Sequence, residues 1–381
     1  MDTRKASNTP GPVIYDAGVP SIVSGSVAAF FLYDVAEAID LARVQREIGT
    51  GVAARLTPKP TTPPYVQYRQ PPITIDGQMV DMPDSDGFSV RFKAFEYGVI
   101  SVALTRSLSG SWDEWLDYGL ACHENAALPR DAERFARALV ARIRAAITRP
   151  REQFLSEDYL VFTVTSLDPA ISAEALVTAH GPTIAQLLRG ERSPLSADER
   201  DEVLRHRISY FADDLVVPTW SSAFVRDTET GAQAAMEILE FANSQLLEFR
   251  YYDQLLDGEM ERIYPQLQHG GWLYNWLARR YTRTARQVHG LFIDVNELTD
   301  RTENALKIVG DVYAARLFVL ATARLGLDQW KGSVQEKLKT LAEIYRFAVE
   351  QTSMARGEVL EIIVVLILVL ELLLLLAGVM R

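Results

Sequence analysis

The sequence predicts an α+β fold: an N-terminal ferredoxin-like α/β sandwich, a long helical hairpin after it, and one C-terminal transmembrane helix. Three observations carry this. The first part of the chain runs strand, helix, strand, strand, helix, strand, the order of a sandwich whose helices cover one face of an antiparallel sheet. From Gly231 onward the pattern is almost all helical. Val359 to Met380 is an apolar run containing only Glu361 and Glu371 as charged residues. The predicted organisation is therefore a disordered tail over 1–20, an α+β domain over 21–230, a coiled-coil-like helical hairpin region over 231–358 and a membrane span over 359–380.

The elements follow in order. Val23 to Tyr33 reads as a strand, and Asp34 as the cap of a helix through Ile48 with Val35, Ile39, Leu41 and Val44 on one side. Thr57 to Pro64 is too rich in proline for a regular element and reads as a loop. Ile73 to Met82 suits a short strand or hairpin. Val90 to Tyr97 and Val99 to Leu104, broken at Gly98, suit a hairpin. Ser111-Trp-Asp-Glu114 is a capping box opening a helix to about His123. Asp131 to Thr148 reads as a helix ended by Pro150, and Tyr159 to Thr165 as a strand. Helices are predicted over Ser172–Leu188 and Ser196–Ala212, with short strands at Leu215–Val217 and Ala223–Val225.

A helix is predicted from Gly231 to about Gln268, and a second from Trp272 to about Leu325. Gly326 stops it, and Ser333-Val-Gln-Glu336 restarts helix. Leu306, Val309, Tyr313, Leu317 and Leu320 form one apolar stripe. Leu338, Leu341, Tyr345 and Ala348 form another. Two stripes joined by a short turn predict an antiparallel hairpin whose second arm continues into the apolar run. At about 1.5 Å per residue that run is long enough for a hydrocarbon core of roughly 30 Å, with Glu371 near mid-depth. A carboxyl group there calls for a partner, and the simplest is the same helix in a second subunit. Glu361 lies about 80° around the helix from Glu371, so one broad face presents both.

Composition narrows the function classes. The net charge is −11, which argues against a general nucleic-acid coat. Cys122 is the only cysteine, so no internal disulfide exists. The N-terminus lacks the apolar core of a signal peptide. Lys337, Lys339, Arg346 and Arg356 precede the apolar run and only Arg381 follows it, which places the preceding part in the cytoplasm and predicts a single-pass membrane protein.

Motifs for chemistry are few. The five histidines form no His-x-x-x-His pair, and no phosphate-binding glycine loop or Gly-x-Ser-x-Gly elbow is present. Cys122-His123-Glu124 are adjacent, but neighbours on a helix point in different directions, so a solvated helix end is expected there. No catalytic residue, cofactor, metal site or small-molecule substrate is read from the sequence. One aromatic-basic cluster stands out: Trp272, Tyr274, Trp276, Arg279, Arg280, Tyr281, Arg283 and Arg286. It suits either a helix with rings inward and arginines solvated, or contact with anionic lipid or RNA phosphates.

The C-terminal part resembles the required-for-meiotic-nuclear-division family, also called YagE-like. The resemblance rests on Leu360-Glu361, an aliphatic run and Glu371 ten residues after the first Glu, preceded by the helical hairpin. Asp214-Leu-Val-Val-Pro-Thr-Trp220 and the polar stretch Val295 to Asn304 add to it. Ile362 stands where many members have Trp. The resemblance implies a membrane-anchored protein without established catalytic activity, with organellar relatives linked to translation. The expected function is thus a non-enzymatic, self-associating, membrane-anchored scaffold or tether. The alternatives are a membrane-bound RNA- or ribosome-associated factor and a hydrolase with an unrecognised site.

Overall fold

The computed structural model describes residues 20–49, 71–80, 87–268, 290–300 and 312–376. Its centre is one seven-stranded mixed sheet. The strands are β1 (Ser21–Ile39), β2 (Ile73–Asp76), β3 (Ser89–Ala94), β4 (Val99–Gly110), β5 (Ile147–Asp168), β6 (Leu215–Pro218) and β7 (Ser222–Arg226). Their order across the sheet is β2-β3-β4-β1-β5-β7-β6. β5 and β7 are parallel and the other neighbours antiparallel.

Helices lie on both faces. One face is covered by α1 (Leu41–Ile48), α2 (Trp112–Glu124), α3 (Ala127–Arg142), α4 (Ala173–Arg189) and α5 (Ala197–Arg205). The other is covered by α6 (Glu229–Gln268), helical residues 290–300 (α7), α8 (Val312–Arg324) and α9 (Leu327–Leu376). Strand alternation sorts the core accordingly. Val27, Ala29 and Phe31 of β1 join the first layer, and Ala28, Phe30 and Leu32 join the second. Because both faces are covered, Val27 to Ala36 is buried without a break, as in other central strands.

This corrects the ferredoxin-like sandwich, which has helices on one face of a smaller, antiparallel sheet. Two misread segments explain the difference. Asp34 lies inside β1, and the cap of α1 is Asp40, whose side chain accepts from the Arg43 N–H at 3.0 Å. The predicted helix Asp131–Thr148 is α3, ending at Arg142; β5 already begins at Ile147 and runs through Pro150. Pro150 is tolerated because the β1–β5 pairing shifts register between Asp34 and Ala36, close to its partner Ala36.

Other local readings hold. The Ser111 capping box is complete: Glu114 N–H donates to Ser111 Oγ and Ser111 N–H to Glu114 Oε2 at 2.8 Å. Gly98 separates β3 from β4. α6 spans the predicted helix, and α8 and α9 form a hairpin turning at Gly326, whose φ is +69°. α9 starts at Leu327, ahead of the predicted restart. Its Lys337 bridges Asp253 and Asp257 of α6 at 2.8 and 2.7 Å, and Ser333 Oγ donates to Asp253 at 2.8 Å.

The apolar end needs the largest correction. Among the described residues no helix is long and apolar enough to cross a membrane. That overturns the predicted C-terminal transmembrane helix and the single-pass placement with a cytoplasmic N-terminal part. Side chains of the apolar run are described only for Val364 to Leu373. The predicted tail, the proline-rich loop and the first stripe's Leu306 and Val309 lie outside the described residues, as does the side chain of Tyr345.

Candidate functional site

The face of the sheet beneath α6 is unusual in its polarity. Period-two alternation in β1 and β3 points Asp34 and Lys93 toward α6, beside apolar Leu32 and Phe95. Helical spacing in α6 points Glu240, Ser244 and Glu248 back at them, four residues apart. Asn243 and Gln245 are buried alongside. A polar seam therefore runs through an otherwise apolar layer.

Lys93, Glu240, Tyr97, Ser244 and Gln245 are paired with one another, as burial demands. Lys93 Nζ donates to Glu240 Oε2, with both side chains almost wholly buried. Tyr97 Oη and Ser244 Oγ are 2.7 Å apart, and Gln245 Nε2 donates to Tyr97 Oη at 3.0 Å. At the end of the seam Arg151 of β5 lies over the Tyr251 ring, 3.7 Å from its centroid, and its Nε is 2.7 Å from Asp34 Oδ1. Asp34 is 0% exposed. Arg151 and the Ala36 N–H both hydrogen-bond the buried Asp34 carboxylate.

Burial raises the Asp34 pKa to about 6, against the pull of the Arg151 charge. The sign of the stability effect follows. A carboxyl group with a raised pKa in the folded state holds its proton more tightly there than in the unfolded chain. Its stabilising contribution is complete below about pH 4 and is lost as pH rises through about 6. The expected loss is on the order of 3 kcal/mol. Urea denaturation from pH 4 to pH 7 measures it as the difference between the parent and Asp34→Asn. A flat difference curve contradicts the raised pKa.

Two cavities open beside this pair and share Arg151, Tyr251 and Leu255. One, of about 440 Å³, reaches Asp34; the other, of about 780 Å³, extends toward α7.

The residues singled out in the sequence fall elsewhere. Trp272, Tyr274, Trp276, Arg279, Arg280, Tyr281, Arg283 and Arg286 lie outside the described residues, and the side chain of Glu361 is not described. Glu371 lies on the distal part of α9, exposed among exposed neighbours. His123 is not a solvated helix end: its Nε2 is 2.9 Å from Leu187 O, tying α2 to α4, and burial lowers its pKa. No cluster suited to a metal ion occurs among the described residues. Asp34, Lys93, Arg151 and Glu240 were missed. The available signal was a charge inside an apolar strand run, at Asp34 and at Lys93.

A family model described as "Uncharacterized protein MJ0711, N-terminal domain" matches residues 24–233. The uncharacterised protein MJ0711 of Methanocaldococcus jannaschii is 23% identical over 209 residues, covering 54% of this chain and 62% of that protein. The chain thus spans less than two thirds of this relative. No solved structure matches. Nothing in these comparisons supports the YagE-like resemblance, which rested mainly on residues beyond the match. The matched stretch holds the sheet strands and Asp34, Lys93 and Arg151, while most of α6 lies outside it. With more than half of its length matched, the chain belongs to the family of the MJ0711 N-terminal domain.

Proposed function

We propose that this protein is a non-enzymatic scaffold that self-associates through the distal end of α9. The supporting observation is the stretch Val364 to Leu373. Its nine apolar side chains are each 47–62% exposed, around the whole helix. Isolated exposed apolar residues are ordinary, but a contiguous apolar helical surface marks an interaction site. Covering half of such a surface is worth on the order of 5 kcal/mol per helix. A second copy of the same helix is a partner always present at matching concentration, and closed symmetric pairing is the commonest outcome for such surfaces. The buried contacts that hold α9 to the body of the protein include Val334, Leu338 and Leu341, well before this stretch.

The test compares solution mass by light scattering for three forms: the full chain, a chain lacking residues 364–381, and the full chain with Leu366→Lys and Leu370→Lys. The full chain is expected to be oligomeric and both variants monomeric, with unchanged circular dichroism per residue after allowance for the deleted helix. A monomeric full chain, or variants that keep the parent's mass, refutes the assembly role.

A further inference from the structure

We propose that the distal end of α9 pairs with the α9 of a second copy in antiparallel orientation, through the face that carries Leu366, Leu370 and Leu373. The inference rests on the self-association proposed above and names its face, direction and register. The placement of the charges and the placement of the protein's own body carry it.

The charges select the face. The distal stretch is exposed all round, so hydrophobicity alone marks no side of it. Glu361 and Glu371 are the only charged residues between Val359 and Met380. With 3.6 residues per turn, each stands about 140° around the helix from Leu366, one on either side. Leu370 lies about 40° from Leu366 and Leu373 about 20°, on the face turned away from both glutamates. Leu366, Leu370 and Leu373 are 62%, 57% and 56% exposed, and they follow the four-then-three spacing of a coiled-coil seam. A partner seated there buries leucine side chains and keeps both glutamate positions out of the interface.

The body selects the direction. Val334, Leu338 and Leu341, earlier in α9, are buried in the core layer that α6 shares. Carried along the helix, their directions fall about 40°, 80° and 20° from that of Leu366. The body therefore stands on the same side of α9 as the leucine seam. In a parallel pair the two-fold axis runs along the helices on that side, so each body would project into the space of the other. In an antiparallel pair the axis crosses the helices, and the bodies sit at opposite ends. Full overlap of the two apolar runs sets Leu366 beside the partner's Leu370. It leaves Leu373 about 15 Å along the helix from its own copy. The partner's Leu376 then stops about 28 Å short of Leu341, clear of the body.

The experiment uses the full chain, whose only cysteine, Cys122, is buried. Leu366→Cys, Leu370→Cys and Leu373→Cys chains are oxidised alone and in mixtures, and interchain disulfides are read on non-reducing gels. Such a bond needs Cα atoms within about 7 Å of each other. The mixture of Leu366→Cys with Leu370→Cys is expected to give about fivefold more linked dimer than either alone, and Leu373→Cys alone to give none. Leu373→Cys linking to its own copy as strongly as that mixture means parallel helices. That result overturns the inference and leaves self-association standing. By light scattering Glu371→Lys should keep the parent's mass, while Leu366→Lys loses it. Loss of assembly in Glu371→Lys, or an oligomeric chain that links in no mixture, overturns the face. A monomeric full chain overturns this inference and the self-association together.

Discussion

Lys93→Met is expected to destabilise the protein by about 3–5 kcal/mol, and adding Glu240→Leu to recover most of that loss. Lys93 projects from β3 and Glu240 from α6, and the two meet inside the layer between sheet and helix. Removing the ammonium alone leaves a buried carboxylate with no counter-charge, which is the expensive outcome. Removing both leaves two apolar side chains in an apolar surround that includes Phe95, Ile238 and Phe241. Such replacements of whole buried pairs are often neutral or stabilising. Urea denaturation of the parent, both single variants and the double variant gives the coupling energy directly. A single-variant loss below about 1 kcal/mol would show that the pair is not buried as described. Recovery in the double variant would mean the pair fixes how α6 registers on the sheet and adds little net stability.

The same seam explains what was legible in the sequence and what was not. Local signals were read well. The Ser111 capping box, the break at Gly98 and the stop at Gly326 depend on residues within a few positions of one another. The sandwich was misread where tertiary partners override local chemistry. Asp34 precedes Val35, Ile39, Leu41 and Val44 at helical spacing, so it looks like a cap. Its true setting depends on Arg151, far along the chain, and on a strand buried from both sides. The first part of β5 was hidden by the Ala- and Arg-rich stretch before it and by Pro150, which ordinarily excludes a central strand. The resemblance at the C-terminus failed for a related reason. An aliphatic helix with two glutamates is a pattern of composition more than of tertiary contacts, and the family match lies on the sheet. The candidate site was invisible because its charges come from β1, β3, β5 and α6, each harmless in its own stretch of sequence.

Gly98→Ala is expected to cost about 2–5 kcal/mol, while Gly258→Ala in the same chain is expected to gain about 0.5–1 kcal/mol. The contrast rests on backbone geometry and space. Gly98 has φ of +92°, a conformation that L side chains rarely adopt, and a Cβ there would lie 1.9 Å from the Ala36 carbonyl oxygen. The neighbour is backbone of the central strand, so it cannot swing aside as a side chain would. Gly98 N–H donates to Phe95 O at 3.2 Å, and Gly98 O accepts from Val35 N–H at 3.0 Å. Alanine must therefore break the turn, push β1 away, or both. The backbone term is about 1–2 kcal/mol and overpacking adds about 1–3 kcal/mol. Because the turn abuts β1 two residues beyond Asp34, the displacement should also reach the Asp34–Arg151 pair. The pH dependence assigned to Asp34 should then shrink in Gly98→Ala as the carboxyl group gains access to water. At Gly258 alanine meets open space on a helix and only improves helix propensity. Urea denaturation of both variants at pH 4 and pH 7 reads the two effects together. A Gly98→Ala protein as stable as the parent would mean that the turn does not press on β1 as the structure has it.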